Sequence, residues 1–413
     1  MPANMTQNAQ SLRQHLTELT SRAKDEAYSM PSHFYTSDAF LELEKEHIFR
    51  KEWVCIGHIG EIPEPGDFFT TELIDEQLLV ARDDTGDINV LSNVCRHRGN
   101  LVENEASGNR RSFICPYHAW TYKRDGALKT APLMKKAKAF DPAKCGLPRF
   151  NTEIWNNFIF VNLDGTAQPL APQMASLDGI LHNYHHELRN LLFMEDTVWG
   201  TNWKNLTENF MEGYHLFATH PKTLQPMTPT QLCRKVPGED RWTAYRSYYD
   251  PEYPPRGPFH EDMTEDEQRN SVLFNLFPSF VVAVAANYTL FLCLRPHGAD
   301  QVSIRWGSAA SNPIPMIPRS WPMSICAKRS TPRTKKSWKP CNRPRRRVSL
   351  QAARWHRTIW KVRFGISSSI WKADWARNLR PSQPNDLRPA RLPWRAHGDP
   401  FGNKAQQSLP QKT

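Results

Sequence analysis

Acidic residues all but vanish from the last quarter of this 413-residue chain. Residues 311–413 hold no glutamate and only three aspartates (Asp374, Asp386 and Asp399) against 23 lysines and arginines. The whole chain has 53 basic and 42 acidic residues, so the first 310 positions carry 30 basic and 39 acidic ones. The net +11 hides an acidic body and a strongly basic tail. Long apolar runs are missing too. The longest uncharged stretch, Ser271 to Leu294, is broken by Asn275, Pro278 and Asn287, and it reads as two strands of a hairpin, Phe280 to Val284 and Leu290 to Leu294, rather than a membrane span. Residues 1–30 lack the apolar core of a secretory leader, so none is expected. Six of the eight cysteines (Cys55, Cys145, Cys233, Cys293, Cys326 and Cys341) follow no paired spacing, which argues for reduced thiols and a cytoplasmic protein over a disulfide framework.

What is present is more specific. Cys95-Arg96-His97 is followed, 17 residues on, by Cys115-Pro116-Tyr117-His118. Two thiolates and two imidazoles on separate loops suit a [2Fe–2S] cluster in which two histidines replace two cysteines on one iron. Zinc is the rival, since Cys2His2 is also a structural zinc set, but zinc fingers pair Cys with Cys and His with His rather than alternating them. A second constellation, Glu212-x2-His215-x4-His220, lies in the run Asn202 to His220. Two histidines and a carboxylate on one face, with open positions opposite, is the ligand set of non-haem Fe(II) oxygenases. Five-residue spacing does not quite align two side chains on an unbroken helix, so the helix expected over 201–219 must loosen near its end.

Residues 30 to 308 resemble the α subunits of Rieske non-haem iron oxygenases, the ring-hydroxylating dioxygenases and related monooxygenases; Gly99, Pro116 and Trp120 fit that pattern. The resemblance implies an α+β chain, an all-β Rieske domain followed by a helix-grip catalytic domain of antiparallel sheet and helices. It implies that Cys95, His97, Cys115 and His118 hold the cluster and that His215 and His220 ligate a mononuclear Fe(II). Glu212 falls where the family keeps an acidic residue that bridges the two centres across a subunit boundary; glutamate there looks more like the branch acting on carnitine-like quaternary amines. Asn209 stands where the family often has an asparagine near the iron. Ala119 departs from the glycine usual after the second histidine. The implied partners are an NAD(P)H-dependent reductase, with or without a ferredoxin, a small organic substrate, O2, and further copies of the chain, a trimer by resemblance; neither nucleic acid nor membrane is expected.

At this length two domains are expected. Turns at Glu64-Pro65-Gly66, Asp84-Thr85-Gly86 and Asp125-Gly126 mark short strands over 46–165, the expected Rieske domain. Residues 1–45 read as a helical lead-in, 166–310 as the catalytic domain, and 311–413 as an aberrant tail without the composition of a packed core. A basic tail ordinarily suggests nucleic acid, and a zinc-bearing nucleic-acid binder is the remote reading. Out-of-frame translation explains this one better. Tryptophan has one codon, TGG, so a Trp-Lys pair read one base earlier must give glutamate after a leucine-like codon. With permitted codons Trp371 to Ala376 becomes L-E-G-R-L-G, and Arg354 onward becomes an acidic helical string. The resemblance implies a third iron ligand, an aspartate on a C-terminal helix. The shifted frame puts E-D-K where that helix should begin, whereas the translated frame has Thr334 there and no acidic residue between Asp300 and Asp374. The leading reading is thus a terminal oxygenase; the alternative is a catalytically impaired Rieske electron-transfer protein lacking that ligand.

Overall fold

The computed structural model describes residues 11, 12, 14–19, 21, 29–253 and 257–311. The basic tail, Thr334 and Asp374 included, lies outside the described residues. Two short helices, α1 (His33–Thr36) and α2 (Asp38–Glu44), precede the first sheets. Strands β1 (Val54–His58), β2 (Asp67–Leu73), β3 (Glu76–Arg82), β4 (Ile88–Ser92), β5 (Ser107–Asn109), β6 (Phe113–Ile114), β7 (Thr121–Tyr122), β8 (Leu128–Thr130), β9 (Asn151–Trp155) and β10 (Phe158–Asn162) follow. They form three antiparallel sheets, ordered β1-β10-β9, β4-β3-β2-β5 and β6-β7-β8. The expected turns are where the chain reverses. Gly66, Gly86 and Gly126 have φ of +93°, +93° and +87°, a region that side chains with a Cβ rarely occupy.

Helix α3 (Leu170–Leu181) leads into β11 (Asn190–Trp199), then α4 (Trp203–Phe210) and α5 (Leu216–Thr219). Strands β12 (Cys233–Val236) and β13 (Trp242–Tyr248), the single turn α6 (Glu265–Gln268), and strands β14 (Asn270–Leu276), β15 (Phe280–Val284), β16 (Tyr288–Gly298) and β17 (Gln301–Ala310) complete the described chain. The second sheet has seven antiparallel strands, β11-β17-β16-β15-β14-β13-β12, so its first strand pairs with its last. Phe280–Val284 is one of them and Leu290 to Leu294 lies within its hairpin partner, as the sequence indicated.

Alternation along these strands sorts the core into two layers. Phe280, Val282, Val284, Phe291 and Cys293 pack with Leu170, Met174, Leu177 and Leu181 of α3, whose spacing of four, three and four residues makes one helical stripe. Val281, Leu292, Leu294, Val302 and Ile304 face the other way, onto Trp203 and Leu206 of α4 and Ile56 of β1. The sheet is thereby gripped between α3 and α4, and β1 and β10 contribute to both layers. Cys55 on β1 and Cys293 on β16 touch at 3.3 Å as thiols. Burial, with the neighbouring Cys293 thiol, pushes the Cys55 thiol well up. No helix among the described residues is long and apolar enough to cross a membrane.

Beside this core, His186 is buried, and neither ring nitrogen has a hydrogen-bond partner among the described residues. Burial lowers its pKa to about 3. The unfolded chain takes up a proton near pH 6.5 that the folded chain refuses until about pH 3. Stability must therefore fall as pH drops through that window, by about 1.4 kcal/mol per unit from this residue. His186→Phe is expected to flatten the acid limb of a stability–pH curve measured by urea unfolding between pH 6.5 and 5; an unaltered slope would refute the assignment.

Candidate functional site

The two Cys/His loops are built alike. In the first, Cys95 N donates to Asn100 O (2.8 Å) and Gly99 N to Cys95 O (3.0 Å); in the second, Cys115 N donates to Trp120 O (2.9 Å) and Ala119 N to Cys115 O (3.0 Å). Each tight loop needs a left-handed residue four positions after its cysteine. Gly99 supplies it at φ +71° and Ala119 at φ +57°. The departure from glycine at 119 thus costs the second loop about 1 kcal/mol of backbone strain without changing its shape.

The loops bring all four residues together in pairs. His97 Nδ1 and His118 Nδ1 lie 3.2 Å apart at the exposed edge. The thiols of Cys95 and Cys115 meet in the interior, where burial pushes that of Cys115 up. No three of the four ligand atoms, however, fall within 4.8 Å of one another. One zinc ion with bonds of about 2.0–2.3 Å would need all four in a single shell. A thiol pair and an imidazole pair held apart fit a cluster of two irons, each pair on its own iron. The residues present suit the [2Fe–2S] group.

Two neighbours complete the setting. Trp120 stacks on His97, with ring planes 6° apart and centroids 4.9 Å apart. Tyr122, which sequence reasoning passed over, brings its hydroxyl 3.2 Å from Cys95 Sγ and accepts the Arg96 N–H at 3.1 Å. Its place one strand after the second loop was the available signal, but only the β6–β7 pairing turns it toward the sulfur. A hydrogen bond to a cluster sulfur favours the electron-rich reduced state. Tyr122→Phe is expected to lower the reduction potential by about 40 mV, the equivalent of about 1 kcal/mol in a one-electron couple, as read by redox-poised spectroscopy.

The second site corrects one expectation. The helix over 201–219 is two helices, α4 and α5, separated by Met211 to His215. Asn202 caps α4 by accepting the Lys204 N–H, while its amide donates to Tyr35 O and Ala299 O. Lys204 and Glu44, both almost fully buried, form a 2.7 Å ion pair that ties α4 to α2. The break follows from side chains. Glu212 Oε2 accepts the N–H groups of Tyr214 and His215, drawing the chain out of helical register. Gly213 passes so close to the Cys233 thiol that any Cβ there would collide with it.

The consequence is a pairing an unbroken helix would not give. His215 and His220 flank α5, with ring centroids 5.4 Å apart at 70°. Glu212 Oε1 lies 2.6 Å from His215 Nδ1 and its side chain is only 11% exposed, so it is not a solvated surface carboxylate. That contact occupies Nδ1 and leaves Nε2 for a metal. Burial, then the charge of His215, lowers the pKa of His220, which keeps it neutral as a ligand must be. Asn209 is exposed on the last turn of α4 and makes no hydrogen bond to Glu212, His215 or His220. No described carboxylate joins His215 and His220 in a set whose ligand atoms all lie within 4.8 Å. Two imidazoles with one oriented by Glu212 fit part of a mononuclear iron shell, and no described carboxylate completes it.

The fold and these sites define a class. Residues 52–143 match the Rieske [2Fe-2S] domain, and residues 180–316 match the catalytic domain of the ring hydroxylating alpha subunit. The chain therefore carries a Rieske [2Fe-2S] domain followed by a ring-hydroxylating alpha-subunit catalytic domain, and these two domains imply a [2Fe–2S] cluster and a mononuclear iron.

Particular relatives are similar over part of their length. The chain is 33% identical over 199 residues to the carnitine monooxygenase oxygenase subunit of Acinetobacter baumannii, covering 48% of this chain and 54% of that protein. It is 32% identical to the glycine betaine monooxygenase oxygenase subunit of Pseudomonas aeruginosa PAO1, covering 50% and 48%. It is 37% identical to the N,N-dimethyl phenylurea N-demethylase subunit alpha of a Sphingobium, covering 46% and 43%. In each case the match spans about half of the relative's length. Among solved structures, a quaternary ammonium Rieske monooxygenase superposes with a TM-score of 0.64 at 25% identity, covering 75% of this chain and 82% of that one. Naphthalene 1,2-dioxygenase from Rhodococcus shares the fold, with a TM-score of 0.64 at 23% identity, covering 74% and 78%.

Proposed function

We propose that this chain is the terminal oxygenase component of an O2- and NAD(P)H-dependent system that hydroxylates, or demethylates by hydroxylation, a small substrate, a quaternary or N-methyl amine ahead of an aromatic ring. The observation that carries the reading is the 2.6 Å contact between Glu212 and His215 Nδ1, in a chain that also pairs two thiols and two imidazoles for a cluster. Support for the substrate class comes from relatives named for carnitine, glycine betaine and a dimethyl phenylurea. The reduced thiols favour a cytoplasmic setting.

When bound, the cluster and the mononuclear iron supply single electrons and open coordination positions for O2. The chain's own residues do the rest. Cys95 and Cys115 would hold the cluster from the buried side and His97 and His118 from the exposed side, where a partner would reach it. His215 and His220 would hold the iron, and Glu212, in contact with His215 Nδ1, fixes the His215 tautomer and would take or return that proton. A carboxylate in that position serves as a bridge only if the cluster of another copy lies against it, so the working form is an oligomer, a trimer by resemblance, reduced by a reductase directly or through a ferredoxin. A structure solved for a quaternary ammonium Rieske monooxygenase is described in terms of inter-subunit electron transfer, which is the arrangement this reading needs.

A second reading has its own observation. The translated sequence offers no acidic residue between Asp300 and Asp374, and the catalytic-domain match ends at residue 316, close to the change in composition. As written, the chain then has the cluster site but an incomplete iron shell. One experiment separates the two: purified protein is assayed for the Rieske EPR signal, iron per chain, and O2 uptake dependent on carnitine, glycine betaine or an N-methyl aromatic amine. Two irons with no mononuclear iron and no uptake favours the impaired form; three irons with substrate-dependent uptake favours the oxygenase; zinc without acid-labile sulfide sinks both.

A further inference from the structure

His185, His260 and Asp262 belong to neither iron set, yet they form the one group of three or more His, Cys, Asp or Glu among the described residues whose ligand atoms all lie within 4.8 Å of one another. We propose that they bind a divalent transition-metal ion of the zinc class at a third metal site.

Residues 77 positions apart in sequence meet here through the fold. His185 sits between two single-turn 3-10 helices, His182–Tyr184 and His186–Leu188, and its left-handed backbone (φ +45°) turns the ring out of the line of both. His260 and Asp262 come from the loop that precedes α6. Asp262 Oδ2 lies 2.9 Å from His185 Nε2 and 3.3 Å from His260 Nδ1, and the two imidazole centroids are 3.7 Å apart. A single carboxylate oxygen faced by two ring nitrogens is more than one His–Asp hydrogen bond accounts for.

Two details make the nitrogens competent ligands. His260 Nδ1 faces the Asp262 N–H at 3.4 Å, as an acceptor. The contact is long, so its lone pair is only weakly engaged. On the other side of His185, Nδ1 lies 3.4 Å from Glu187 Oε1. A carboxylate behind the ring, with the opposite nitrogen facing the ion, is the arrangement that orients metal-bound histidines and strengthens them as donors. Two imidazoles and one carboxylate select zinc-class ions over magnesium or calcium, and they leave a fourth position for water. The side chains of His260 and Asp262 are 39% and 52% exposed, so an ion reaches them from solvent. Bound there, it clips the segment leading into β11 to the loop leading into α6.

The test uses the full-length protein with its Rieske cluster loaded, titrated with buffered Zn2+ and compared with His260→Ala, Asp262→Ala and a His215→Ala/His220→Ala double variant. Wild type is expected to take up one Zn2+ per chain beyond its iron, with His260→Ala and Asp262→Ala each at least tenfold weaker and the Rieske absorption spectrum unchanged throughout. Because these two side chains are exposed, loss of folding is not expected, and the spectrum monitors it. Equal uptake by wild type and both single variants, or no zinc bound by wild type at 100-fold excess, overturns the site. So does uptake that persists in His260→Ala but disappears in the double variant, because the zinc would then occupy the iron ligands.

Discussion

Returning the tail to the frame one base earlier, from the break near residue 310, is expected to turn a chain that holds mononuclear iron weakly into one that holds one such iron per chain. Substrate-dependent O2 consumption should rise from near background by a hundredfold or more. As translated, two neutral imidazoles carry the site, and no described carboxylate joins them; a two-histidine shell lacks the anionic donor that favours Fe(II) in the two-His-one-carboxylate set. The shifted frame supplies E-D-K where Thr334 stands, and a family-like acidic helix after it. The Rieske spectrum should be the same in both versions, because its four ligands and Tyr122 all precede residue 123. Iron analysis, EPR and oxygen-electrode traces on the two proteins decide the matter. A chain as written that binds a mononuclear iron and turns over would refute the frame argument, and Asp374 would then be the first carboxylate to test. The nucleotide sequence around codons 305 to 315 is a direct check.

The second large effect concerns Glu212. In the frame-restored protein, Glu212→Gln should leave both iron centres loaded and slow the substrate-triggered reoxidation of the cluster in a single turnover by about ten- to a hundredfold, the usual cost of removing a residue that orients a metal ligand. Gln keeps one oxygen to accept the Tyr214 and His215 N–H groups, so the turn between α4 and α5 survives. What it loses is the negative charge opposite His215 Nδ1. A purely structural role would lower iron occupancy and spare the rate per iron; a bridging role does the reverse and also flattens the pH dependence of the rate. An unchanged single-turnover rate at full occupancy would exclude the bridge.

Much of this was legible because it rests on local chemistry. The Cys95-x-His97 and Cys115-x2-His118 pairs, the Gly66, Gly86 and Gly126 turns and the Phe280–Val284 strand follow from residue type and spacing, and the alternation that buries Phe280, Val282 and Val284 on one layer is written in the order of residues. So is the change in charge near residue 310, which no fold could produce. Other features depended on contacts that sequence distance conceals. The continuous helix over 201–219 fails because the Glu212 carboxylate takes the Tyr214 and His215 N–H groups and Gly213 is packed against the Cys233 thiol. Tyr122 reaches Cys95 Sγ because of strand register. Two identical loop geometries, one closed by Gly99 and one by Ala119, become visible only when φ is known. Cluster and zinc could not be parted on ligand type, since both accept two Cys and two His. The alternating Cys-His spacing already favoured the cluster, and the separation of the thiol pair from the imidazole pair suits two irons better than one ion. Residue types thus determined which chemistry was on offer, and the long-range packing of β1, α4 and the seven-stranded sheet decided which groups meet, because that packing alone sets distances between side chains far apart in the chain.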